Sequence, residues 1–307
     1  MRLIAGQSSF RSMSQRIAQI GFGEAGRTFA NAGQWRAAAR VFDVKTLRPD
    51  SAGAMRAAYA QAGVSGCETL ADALAGAHIV LSLVTADQAH VAAQAAAAHL
   101  PAGALFCDLN SVSPGTKRGN AAIIEAAGGR YADVAVMSPV QPAALAAPLL
   151  VSGPHAGDAA AMLRSIGFSR VQICGAAIGA ASATKMVRSV MVKGIEALTA
   201  EMILAAQAAG VTEGVLASLG GDWADKADYN LDRMLAHGTR RAAEMEEVVA
   251  TLTELGIEPL MTRGTVVRQR ALGDLLRGEA MPEGLAAKLA LINEKTDETM
   301  QGKADAA

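Results

Sequence analysis

The sequence predicts an α/β fold in which a doubly wound parallel sheet of the Rossmann type is followed by an all-α domain. Three observations predict it. Short apolar runs alternate with helical stretches as far as Cys174, a G-x-G-x-x-G turn joins the first run to the first helix, and strand signals then stop. A chain of 307 residues is long for one hydrophobic core. Two domains are therefore expected, a dinucleotide-binding unit at 14–178 and a helical substrate and dimerisation unit at 179–307.

From residue 16, "RIAQIGFG" is an apolar strand ending in glycine, "EAGRTFANAG" continues as a helix, and "ARVFDV" is the second strand. Further strands are "AHIVLSLV", "ALFCDLN", "YADVAVM", "PLLVSG" and "RVQIC", with helices near 86–99, 115–127 and 156–166. Helices of this length between strands require crossovers, which make the sheet mostly parallel. Beyond Cys174, apolar residues recur at helical spacing over 181–209, and further helices are expected near 212–219, across "DRMLAHGTRRAAEMEEVVATLTELG" and on to residue 295. "QGKADAA" reads as a frayed tail, and the residues before Met13 as an extended start.

Composition excludes several function classes. With 51% apolar residues, 19% charged residues and a formal net charge of -1, nothing pulls the chain toward nucleic acid or a membrane surface. No apolar run approaches the ~18 residues of a membrane span, and no secretory h-region opens the chain. Cys67, Cys107 and Cys174 are too scattered for a disulfide framework or a metal site and read as buried thiols of a cytoplasmic protein. A small ligand and no metal are expected.

In "GFGEAG", Gly21, Gly23 and Gly26 stand between a strand and a helix, with Phe22, Glu24 and Ala25 completing the turn. Gly21 permits the tight turn, Gly23 lets backbone approach a pyrophosphate, and Gly26 allows close helix packing. The helix N-terminus faces the phosphate charge. Asp43 closes the second strand, where a carboxylate accepts from ribose hydroxyls and repels a 2'-phosphate, so NAD is expected, with NADP tolerated through Lys45 and Arg48. Val84 and Thr85, after the "AHIVLSLV" strand, would border the same cleft. A bare tight turn with Asp43 capping a loop is the plainer alternative.

"GAASATKMVRSVMVKG" sets Lys185, Arg188 and Lys193 among apolar residues at the start of the long helix. Burying a cation costs several kcal/mol unless something pairs with it. At 100° per residue, Lys185, Ser189, Lys193 and Glu196 fall on one stripe at the mouth of the cleft. Either this stripe serves chemistry, or Lys185 is a surface lysine paired with Glu196 or a neighbour. On the later helix, His237, Arg241 and Glu244 share a face. Arg240 or Arg241 could clamp a carboxylate, and Trp223 and Tyr229 could wall the pocket.

With these motifs in order, the chain resembles the β-hydroxyacid dehydrogenases, the family of 3-hydroxyisobutyrate dehydrogenase and 6-phosphogluconate dehydrogenase, over nearly its whole length from residue 14. The resemblance matches the family's opening glycine turn with Gly21, Gly23 and Gly26. It matches the substrate-contacting segment with Asn110, Ser111 and Pro114 of "DLNSVSP", and the lysine that donates or accepts the proton with Lys185. It implies hydride transfer between NAD(P) and a small β-hydroxy acid, with Arg188, Ser189, Lys193, His237 and Arg241 around an acidic substrate, in a homodimer. Departures are clear. Arg188 and Ser189 replace the family's asparagines, Met137, Ser138 and Pro139 replace a glycine loop, and Val192 stands where decarboxylating members carry glutamate. The later helix, "HGTRRAAEMEE", resembles that of a subgroup with a divergent C-terminal domain. Arg188, one turn from Lys185, is expected to depress its pKa from the ordinary value of about 10.4. An imine reductase and a non-enzymatic nucleotide sensor are the rival readings. Lys185 counts against both.

Overall fold

A computed structural model describes residues 15–276 and 280–304, with side chains as far as residue 296. The start before Met13 and the last three residues lie outside the described residues. β1 (Ile17–Ile20), α1 (Glu24–Gly33) and β2 (Ala39–Phe42) open the chain, followed by α2 (Ala52–Ala62), β3 (Ser65–Gly66), α3 (Leu70–Leu74) and β4 (Ile79–Ser82). Then come α4 (Ala89–Ala97), β5 (Leu105–Asp108), α5 (Pro114–Ala126), β6 (Arg130–Val136), β7 (Leu149–Ser152), α6 (Ala156–Ser165) and β8 (Val171–Gly175). The rest is helical: α7 (Ala180–Ala208), α8 (Thr212–Leu219), α9 (Trp223–Glu254), α10 (Leu260–Leu275) and α11 (Leu285–Ala304).

The strands form one sheet in the order β3-β2-β1-β4-β5-β6-β7-β8. Its neighbours pair in parallel, except β6 with β7, which run antiparallel. This is the predicted fold class. Strands β1, β4 and β5 are buried along their whole length, which is why they read as unbroken apolar runs. One face packs Phe22, Phe29, Trp35, Tyr59, Leu163 and Phe168, and the other Leu74, Ala96, Phe106, Ile124 and Tyr131. The order reverses between β1 and β4, so their carboxyl ends splay into the crevice where such sheets bind ligands.

Elsewhere the structure departs from the sequence reading. The stretch between β2 and β4 holds α2, β3 and α3; β3 has two residues, too few to show any period. Helix α9 starts at Trp223 and absorbs "DWADKADYN", and α11 runs into the expected tail as far as Ala304. Cys67 and Cys107 are buried, but Cys174 is exposed.

Helix α7 leaves the sheet at Gly179, whose φ is +96° and whose Cβ would stand 2.9 Å from Cβ of Pro114. Only glycine meets both conditions without strain. Along α7 the helical half holds two apolar clusters, one around Met186, Ala242, Met245 and Val248, the other around Ala200, Ile203, Leu231 and Met234. Charged residues lie between them: Lys193 and Glu196 of α7 and Arg241 of α9 are all buried. The apolar residues of α7 do not all face inward, however. Val187, Met191, Ile195 and Leu198 are exposed.

Candidate active site

The glycine turn is sterically fixed. Gly21 has φ +90°, and a Cβ there would lie 2.4 Å from the carbonyl oxygen of Leu83; at Gly26 it would lie 2.8 Å from that of Gly21. Nothing stands within 4 Å of a Cβ on Gly23, so the surface above it is open. Gly23 and Glu24 are exposed, Ala25 is half-buried, and the first amides of α1 have no partner within the helix. Such a cradle fits a pyrophosphate. Phe22 offers only backbone, because its ring is buried against Tyr59 with centroids 5.0 Å apart. Its N–H donates to Asp43 Oδ2 at 2.7 Å, and the N–H of Lys45 donates to Oδ1 at 2.9 Å. Asp43 thus braces the turn from the end of β2, while Lys45 and Arg48 are exposed beside it.

The Asn110 carboxamide is engaged within the chain. Its oxygen accepts from the N–H of Val84 at 2.7 Å and its Nδ2 donates to Ser82 Oγ at 3.0 Å, so it fixes the segment carrying Val84 and the exposed Thr85. The next residue faces the cleft. Lys185 Nζ donates to Ser111 Oγ at 2.6 Å. Among the described residues Lys185 has no carboxylate in ion-pair range, which disposes of the pairing with Glu196. Burial pulls its pKa down from 10.5 to about 8; Lys193, Lys117 and Arg240 push the same way, and Glu244 opposes them. The depressing cations are therefore not the expected one: Arg188 is exposed and turns its Nη1 to the carbonyl of Met137 at 3.0 Å.

Two predicted ligands of an acidic substrate are already engaged. Arg241 makes a two-pronged ion pair with Glu196, which also accepts from Gln269 Nε2 at 2.8 Å, so its guanidinium is not available to a carboxylate. Lys193 Nζ sits 2.8 Å from Glu244 Oε2 and donates to Ser189 Oγ at 3.4 Å. Arg240 keeps its guanidinium half-exposed, with only a long 3.6 Å contact to Glu244. Burial alone would raise the pKa of Glu244, but Lys193 and Lys185 outweigh it and hold the carboxyl at about 2. His237 is half-buried, and burial followed by Arg240 and Arg233 lowers its pKa. Trp223, half-buried, and Tyr229, exposed, stand at the start of α9, before His237, Arg240 and Arg241.

Helix α9 is tied to α5 by contacts that no sequence signal marked. Glu247 Oε2 accepts the N–H of Ser113 at 2.6 Å, and Arg118 pairs with Glu254 at 2.8 Å. An open groove of about 580 Å³, lined by Glu24, Arg27, Thr28, Asn31, Gln141 and Ala144, borders the glycine turn but does not include Lys185.

Comparisons with known proteins place the chain by family and fold. Residues 16–179 match the family described as the NAD binding domain of 6-phosphogluconate dehydrogenase, and residues 206–272 match a domain of unknown function, DUF1932. A conserved hypothetical protein from Sinorhizobium meliloti is 36% identical, with 95% of this chain and 100% of that one covered and a TM-score of 0.70. A second structure, of the conserved protein MTH1747, is described as being of unknown function and similar to 3-hydroxyacid dehydrogenases; it is 30% identical over 84% of this chain and 97% of its own, with a TM-score of 0.63. The 3-hydroxyisobutyrate dehydrogenase of Mycobacterium tuberculosis, solved with L-serine, is 18% identical over 91% and 98% with a TM-score of 0.66, a likeness of fold. No curated protein matches the chain.

Proposed function

The chain belongs to the family defined by the NAD-binding domain of 6-phosphogluconate dehydrogenase, an oxidoreductase family, and from that premise we propose a cytoplasmic NAD(P)-dependent dehydrogenase acting on a small β-hydroxy acid, with Lys185 as its general acid and base. The observation that carries this reading is the contact of Lys185 Nζ with Ser111 Oγ, made by a lysine that has no carboxylate in ion-pair range among the described residues. A nicotinamide dinucleotide with its pyrophosphate held at the glycine turn would supply the hydride acceptor or donor. In oxidation the neutral amine of Lys185 takes the carbinol proton, and in reduction the ammonium returns it. A pKa of about 8 leaves both forms populated near neutral pH. Ser111 orients the amine and the substrate hydroxyl together. Of the cations the sequence offered for an acidic tail, Arg240 and Arg188 are in no close ion pair and supply that charge, whereas Arg241 and Lys193 are already paired. Glu244 is held ionised and has no proton to give, which argues against a decarboxylation needing a second donor.

A screen of hydroxy acids with NAD and NADP, followed by nicotinamide absorbance, tests the reaction class. Lys185→Met should then lower kcat by roughly 10²- to 10⁴-fold with nucleotide binding intact. NADH should raise the melting temperature more than NADPH; at a hundredfold excess over Kd, binding adds about 2.7 kcal/mol. Near-normal turnover in Lys185→Met would remove the lysine from the chemistry, and a larger NADPH shift would remove Asp43 from cofactor choice.

The exposed stripe of Val187, Met191, Ile195 and Leu198 on α7, with Leu260, Met261 and Val267 on the adjoining α10, supports a second proposal, that the helical half joins two copies of the chain.

A further inference from the structure

The most deeply buried charges lie outside the cleft. Lys117 of α5, Asp108 at the end of β5 and Asp133 in β6 are all fully buried. Lys117 Nζ reaches the carbonyl oxygen of Asp108 at 2.5 Å, its Oδ1 at 2.9 Å and Asp133 Oδ1 at 3.4 Å. Asp108 Oδ2 accepts from Tyr131 Oη at 2.8 Å and Asn120 Nδ2 at 3.1 Å. From this hub two branches run to the candidate site. Asp108 Oδ1 accepts the N–H of Asn110 at 3.0 Å, immediately before Ser111. Asp133 accepts the N–H of Ser182 at 3.0 Å and its Oγ at 2.6 Å, one helical turn before Lys185. Ser152 Oγ donates to Asp133 at 3.1 Å and accepts the N–H of Ala181 at 3.0 Å. The N-terminus of α7 is thus capped from the sheet. The branches meet again where Lys185 Nζ touches Ser111 Oγ.

Stability alone does not call for this arrangement. A buried ionic cluster can often be replaced by apolar residues of similar volume at no cost, because desolvation offsets the Coulombic gain. What the ionic version adds is direction: each oxygen has a defined donor, so the end of β5 and the start of α7 are held in one register. We propose that Lys117, Asp108 and Asp133 form an ionic hub that positions Ser111 against Lys185, which makes Lys117 and Asp133 positioning residues for the reaction. This rests on the reading of Lys185 as the acid and base.

Lys185 reports on the hub without any substrate. The groups facing it are Ser111 from the β5 loop, Lys193 on its own helix, Glu244 and Arg240 on α9 and Lys117 on α5. Competitive labelling of the full chain with acetic anhydride over a range of pH, read by peptide mass spectrometry, gives its apparent pKa. Ser182→Ala changes no charge, so any shift comes from geometry. The lysine should titrate roughly one unit higher as the first turn of α7 loosens and water reaches the amine. Ser152→Ala should do the same if Ser182→Ala folds poorly, and Lys117→Met should shift it further by also removing a nearby cation. Thr251→Ala, a buried threonine of α9 outside the hub, is the control for a general loss of stability. Were Ser182→Ala and Ser152→Ala to lower the melting temperature as Thr251→Ala does and leave the Lys185 titration in place, the hub would be structural only and the proposal overturned. A wild-type Lys185 titrating at the ordinary lysine value would instead refute the acid and base reading beneath it.

Discussion

Lys117 is fully buried and Lys185 half-buried, and their surroundings could hardly differ more. Around Lys117 the sheet supplies two carboxylates and a carbonyl within 3.4 Å. Around Lys185 the cleft supplies the Ser111 hydroxyl and several cations, and the nearby acid Glu244 is taken up by Lys193. A buried ammonium with matched partners is a structural part. One without them is held in a state it would leave by losing its proton, which suits proton transfer.

The sharpest way to break this contrast is stability. Lys117→Met strands two buried carboxylates and should cost roughly 3–5 kcal/mol in urea unfolding. Lys185→Met should have the opposite sign. Its folded pKa of about 8 lies below the ordinary 10.5, so the cost of holding the ammonium is fully present below about pH 8 and vanishes above 10.5. Lys185→Met should therefore be more stable than the wild type at neutral pH and no more stable above pH 10.5. Two variants destabilised alike would erase the distinction between the two regions.

A smaller effect tests the cleft from its acidic side. Glu244 opposes the depression of Lys185, so Glu244→Gln should let its pKa fall below about 8. In the reduction direction, where Lys185 must be protonated, the rate falls as pH rises through that pKa, and in Glu244→Gln the fall should come at lower pH. Arg188→Ala, whose guanidinium turns to Met137, should leave the profile in place. An unchanged profile in Glu244→Gln would show that the field at Lys185 comes from elsewhere.

The two regions also differ in how far they could be read from the sequence. Gly21, Gly23, Gly26 and the strand before them obey local rules of backbone conformation and period, and Lys185 showed itself as a charge in an apolar helix. The pairings did not. Asp133 meets Ser182 across 49 residues, Arg241 meets Glu196 across 45 and Ser113 meets Glu247 across 134. No periodicity ranks such partners, so Arg241 looked as available as Arg240 until α7 was placed against it. Asn110 was recognised as belonging to the site, but only the closeness of Val84 and Ser82 shows that its carboxamide is already used. Within β3, two residues are too few for any pattern to show.

The smallest expected effect on turnover comes from the outer face of α7. Val187, Met191, Ile195 and Leu198 recur at helical spacing and are 48%, 65%, 43% and 61% exposed, while the opposite face of the same helix carries the buried Met186, Lys193 and Glu196. An apolar stripe backing a polar one, on a helix that already packs on α9 and α10, is what a second copy would cover. Light scattering at micromolar concentration should return about twice the chain mass of 31.4 kDa. The double variant Met191→Glu and Leu198→Glu should return the single mass, because burying two carboxylates in an apolar contact is unfavourable on both sides of a symmetric interface. Its kcat should stay within error of the wild type, since Lys185, Ser111, Glu244 and the glycine turn all come from one chain. A wild type that scatters as 31.4 kDa would leave the stripe without its proposed occupant. A dissociated variant that loses turnover would mean that the cleft, unlike the hub beneath it, is completed by the partner.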